Sequence, residues 1–60
     1  MMTMDQIVEE IRRQKQCGRT AQSDSERGAA ATAIGKLVVK LRHEHNQTDD
    51  QIAAILKATE

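Results

Sequence analysis

The stretch DSERGAAATAIGKLVVKLRHEHN, residues 24–46, decides the fold. It is introduced by Ser23, and Ser23-Asp24-Ser25-Glu26 places a glutamate three residues after a serine, the pattern of a capping box at a helix start. Behind that cap, Ala30, Ile34, Leu37, Val38, Leu41 and His45 recur at helical spacing over about six turns. With Gly28 set at zero and about 100° per residue, these six fall between about 180° and 280°, a stripe that faces a core. Gly28, Ala31, Gly35 and Val39 fall between about 300° and 20°, a second strip of small and apolar side chains. Glycine inside a helix costs about 1 kcal/mol relative to alanine, so two in one strip point to the close approach of another helix. That helix could belong to the same chain or to a symmetry-related copy. The reading favours the copy, which makes Gly28, Ala31, Gly35 and Val39 the expected interface of a homodimer.

On either side of this helix the same signals recur. Thr3-Met4-Asp5-Gln6 is a capping box, and Met4, Ile7, Val8 and Ile11 follow on one helical face. Asp5, Glu9 and Glu10 lie early and Arg12, Arg13 and Lys15 late, as the helix dipole prefers, and Gly18 is a natural stop. Thr48-Asp49-Asp50-Gln51 is a third box, with Ile52, Ile55, Leu56 and Thr59 on one face behind it. The pattern predicts an all-α fold, a helical hairpin plus a short third helix. Its helices span residues 4–17, 24–46 and 49–59 of a single small domain, residues 1–60.

Composition narrows the function. Sixty residues leave room for one domain, and so small a core makes a lone monomer marginal. Nine Lys plus Arg balance nine Asp plus Glu, which argues against a charged nucleic-acid or solvating tail. With no Phe, Tyr or Trp, the chain has no stacking platform for single-stranded nucleic acid and no aromatic interface anchor. Proline is absent, Cys17 has no partner for an internal disulfide, and no apolar run approaches a membrane span. These features predict a cytoplasmic protein without a membrane segment.

Few residues suggest chemistry. His43 and His45 stand two apart on a helix, about 200° round, and cannot share a metal ion as an i, i+4 pair can. Cys17 has Lys15 and Arg19 beside it, yet a small apolar residue closing a helix is the simpler reading. No nucleophile–base set or phosphate-binding glycine loop can be assembled, so no enzyme, cofactor or small-molecule substrate is expected. Two basic groups remain as possible anion or nucleic-acid contacts. Arg12, Arg13, Lys15 and Arg19 gather at the end of the first helix, and Lys36, Lys40 and His43 form a row on the second, with Arg42 beside it. Against this stands an ordinary solvated face, partly neutralised by pairs such as Glu9 with Arg13.

Two resemblances add to this reading. Thr48, Gln51, Ile52, Ala53 and Leu56 match the T-x-x-Q-[IL]-A-x-x-L string that forms the first helix of a repressor-type helix-turn-helix, and the likeness covers residues 41–59. The usual turn glycine is Lys57 here, and the sequence ends at Glu60 where the recognition helix would begin. Residues 7–41 resemble a small uncharacterised bacterial and phage helical domain, through Ile11-Arg12-Arg13, Ser23 to Glu26, Ala29-Ala30 and Leu37. That likeness implies a short phage or mobile-element accessory protein acting on a host regulator or machine. The leading expectation is a non-enzymatic adaptor or inhibitor that binds another protein, with Ile52, Ile55 and Leu56 offered to a partner groove. The alternatives are a minimal DNA-binding regulator using Lys36, Lys40, Arg42 and the first-helix cluster, and a free-standing assembly module.

Overall fold

The computed structural model describes residues 1–60 and contains three helices joined by short turns: α1 (Met4–Thr20), α2 (Asp24–His45) and α3 (Asp49–Ala58). The chain is all-α. Helix α2, at 22 residues, sets the long dimension of the molecule, which measures 34 × 20 × 17 Å. No helix is long and apolar enough to cross a membrane.

Each helix start follows from its cap. At Thr3 the side chain accepts from the Gln6 N–H at 3.1 Å while the Gln6 side chain accepts from the Thr3 N–H at 2.9 Å. Thr48 and Gln51 repeat the exchange at 3.2 and 2.8 Å. Both pairs satisfy donors that a helix N-terminus otherwise leaves open. Ser23 completes only half of its box: its hydroxyl accepts from the Glu26 N–H at 3.2 Å, but the Glu26 carboxylate accepts from the Gln22 N–H instead. The acid thereby reaches one residue further back and ties down the connecting turn.

The second and third helices each end one residue before the expected position, and the larger departure is at the end of α1. Gly18 does not stop α1, which runs on to Thr20. No glycine has positive φ. A Cβ built on Gly18 would lie 3.7 Å from the Ala30 Cβ of α2, so the residue marks where the hairpin's arms come close. Closure comes instead from Thr20, whose hydroxyl donates to the Gln16 and Cys17 carbonyls, before Ala21 turns extended. Helix α2 ends at Asn46, in the left-handed region at φ 53°, and the Asn46 and Gln47 N–H groups both donate to the Leu41 carbonyl. Asparagine tolerates that conformation better than most residues with a Cβ.

The core is small and aliphatic. Ile7 and Ile11 from α1, Leu37 and Leu41 from α2, and Ile52 from α3 form one buried cluster, with Met2, Met4, Val38, Ile55 and Leu56 packed round it. Ile7, Ile11 and Leu41 are wholly buried. Truncating Leu41 to alanine is expected to cost about 2–5 kcal/mol, enough to unfold so small a domain, whereas Thr48→Ala should cost about 1 kcal/mol. Denaturant melts followed by circular dichroism measure both, and equal effects would contradict this core.

Candidate functional site

The outer face of α2 is built from residues that do not pack on the rest of the chain. Gly28, Ala31 and Gly35 are exposed, and Val39 is 54% exposed, the one large aliphatic side chain so placed. A Cβ added at Gly28 or Gly35 would meet nothing within 4 Å. A helix crossing within the chain is therefore not what these two glycines serve, in contrast to Gly18. They lie along an open, nearly smooth surface with Val39 raised at its C-terminal end.

The face of α3 expected to meet a partner is largely used at home. Ile52 is 4% exposed and belongs to the core cluster, with Ile55 and Leu56 half-buried against it. This corrects the assignment of Ile52, Ile55 and Leu56 as a free docking face. Periodicity identifies an apolar face, but not whether the cover is intramolecular. Here the cover is the α1–α2 hairpin, and Lys15 secures it by donating through its ammonium group to the Leu56 carbonyl.

Nor do the basic residues merge into one positive surface. Arg12 pairs with Glu9 and Arg13 with Glu10, each at 2.5 Å, rather than the expected Glu9 with Arg13. Lys40 pairs with Glu44 at 3.3 Å and Arg42 with Asp49 at 2.5 Å, while Lys15 is committed to α3. Arg19 and Lys36 have no ion-pair partner within 4 Å, but they stand on different helices. The shallow groove beside Arg12, Arg13 and Arg19 also carries Asp5, Glu9 and Glu10, so its field is of mixed sign.

One contact had no signal in the sequence. The His45 Nε2 donates to the Met2 carbonyl at 2.7 Å, drawing the N-terminal residues over the end of the bundle. Thr59 is buried, its hydroxyl donating to the Ile55 and Leu56 carbonyls at the end of α3. The first bond joins residues 43 apart in the chain, whereas those of Thr59 are local, to carbonyls three and four residues back on the face that Ile52, Ile55 and Leu56 mark. His43 is exposed, Cys17 is exposed, and no three His, Cys, Asp or Glu side chains converge as metal ligands would.

One carboxyl, Glu10, is held in its charged form by its neighbours. The hydrogen bond from Gln14, which outweighs an opposing desolvation and is helped by the charge and hydrogen bond of Arg13, holds Glu10 below the ordinary carboxylate range. A carboxyl whose pKa is lower when folded stabilises the fold above its unfolded pKa and loses that contribution as pH falls through the folded value. Glu10→Gln is therefore expected to reduce the difference in melting temperature between neutral pH and pH about 3, slightly, because the pair is at the surface. An unchanged difference would remove Glu10 from the acid response.

For nucleic acid, the pairing of the cations predicts no shift of a random DNA duplex at low salt. A shift whose affinity falls with a log–log salt slope of about -2.7 would restore the row Lys36, Lys40 and His43 as a phosphate surface. Comparison with protein families, with characterised proteins and with solved structures returns no match.

Proposed function

We propose that the chain works by binding protein through the outer face of α2, as a non-enzymatic adaptor or inhibitor. One observation carries this reading: Gly28 and Gly35 sit in the interior of α2 with open space above them. Each lowers helix stability by about 1 kcal/mol relative to alanine, and neither is needed by the packing of its own chain. A smooth, glycine-lined helix face beside an exposed Val39 suits the close approach of another helix, at an axis separation near the lower end of about 8–10 Å. The arrangement of the remaining polar groups supports the same reading. Glu9, Glu10, Asp24, Glu44 and Asp49 stand in ion pairs, and Glu26 ties down the turn at Gln22.

The test is a photo-crosslinking side chain placed at Val39 of the full chain, in the cells that make it, with a second probe at exposed Ala53 of α3 as the control. Discrete crosslinked species, to another protein or to a second copy, are expected from position 39 and not from position 53. Absence of any species at 39, or the same set from both positions, would overturn the proposal. Circular dichroism of the purified variants should show helix content retained, since neither position contributes to the core.

A further inference from the structure

We infer that the occupant of this face is a second copy of the chain, lying antiparallel on the first, with Val39 of each copy seated over Gly28 of the other. The inference rests on the proposed role of the outer α2 face and names its partner.

The residues exposed along that face read as a matched series about a midpoint between Ala33 and Ile34. On one side of it stand Thr32, Gly28 and Asp24; at equal distances on the other stand Gly35, Val39 and His43. All six share an arc of about 100° on the helix surface. A twofold axis through the midpoint therefore brings Thr32 opposite Gly35, Val39 opposite Gly28, and Asp24 opposite His43. In an isologous contact the projection and the recess that receives it must lie on the same surface, at equal offsets from the axis. Val39 is the projection and Gly28 the recess.

Charge separates this arrangement from the parallel one. The Asp24 side chain is fully exposed, its nearest cation being Arg27 at 3.8 Å, and it lies in the first turn of α2. The last turn carries exposed His43 on this face, with Arg42 beside it paired to Asp49. Antiparallel pairing sets the Asp24 carboxylate of each helix beside the His43 imidazole of the other and opposes the two helix dipoles. Parallel pairing would set Asp24 against Asp24 and His43 against His43, with Val39 striking Val39 and an unfilled gap between the glycines. The zero net charge of the chain raises no long-range barrier between copies.

The experiment uses the purified full chain with Cys17→Ser, since Cys17 is exposed and would confuse the readout. Light scattering should give twice the chain mass, falling to the chain mass in Gly35→Leu while circular dichroism shows helix content retained. In a glutathione redox buffer, an equimolar mixture of the Val39→Cys and Gly28→Cys variants should form a disulfide-linked dimer, and each variant alone should not. In the antiparallel pair, two copies of position 39 are about 16 Å apart along the axis, beyond the reach of a disulfide. Linkage of Val39→Cys to itself in preference to the mixture would overturn the antiparallel register. A parent chain of single mass at all concentrations up to about 1 mM would overturn self-pairing. If a foreign protein still crosslinks at position 39, that last result leaves the broader proposal standing, so the two failures are distinguishable.

Discussion

The closing of α1 on α2 around Ile7, Ile11 and Leu41 is the interaction on which the rest of this structure depends. These three side chains are wholly buried, and with no aromatic residue in the chain nothing larger can take their place. A core of aliphatic side chains gains about 1.5–3 kcal/mol for each one fully buried, so the margin over chain entropy is thin and every element must contribute. That explains why α3 is folded back. Ile52 supplies a fifth core residue, Ile55 and Leu56 cover its edge, and the Lys15 ammonium and the Thr59 hydroxyl satisfy carbonyls at the end of the helix. A free third helix would leave the hairpin with an open end.

The hairpin in turn fixes which face of α2 is left over. Leu37 and Leu41 point into the core, Ala30 is buried near Gly18, and the opposite side of the helix has no neighbour within the chain. On an ordinary two-helix hairpin that side would carry Lys, Glu and Gln, which favour helix and water together. Here it carries Gly28, Ala31, Gly35 and Val39, with charged residues toward its ends and flanks. The composition of this face works against the stability of an isolated α2. The two glycines lower the propensity of a helix that must span the whole molecule.

How far the sequence discloses such a structure depends on the range of the interaction concerned. The caps at Thr3 and Thr48 are contained within four residues each, and both form as their spacing requires. The apolar stripes of α1 and α2 are periodic, and Ile7, Ile11, Leu37 and Leu41 are where that period puts them. Gly18 was legible as a special position but not as the right kind. A glycine just after an apolar run looks like a helix stop until Ala30, twelve residues on, is seen to lie against it. The same holds for Ile52. Its period marks an apolar face, and only the long-range return of α3 decides that the face is covered from within. Bonds such as His45 to Met2 have no local signature at all, because they follow from the meeting of the two ends of the bundle.

Charge bears on the remaining question of what such a molecule can recognise. Arg12, Arg13, Lys40 and Arg42 are each within ion-pair distance of a carboxylate, and the pairs are distributed over the surface rather than collected. Paired surface charges contribute little to stability, about 0–1 kcal/mol each, but they remove the long-range field by which a protein gathers polyanions. In the proposed protein-binding role, recognition depends on shape at short range, where a helix with glycines on its outer face differs from a helix without them. Close approach of backbones brings many weak dispersion contacts within range at once, and the bare recesses at Gly28 and Gly35 allow it where any larger side chain would hold a partner helix away.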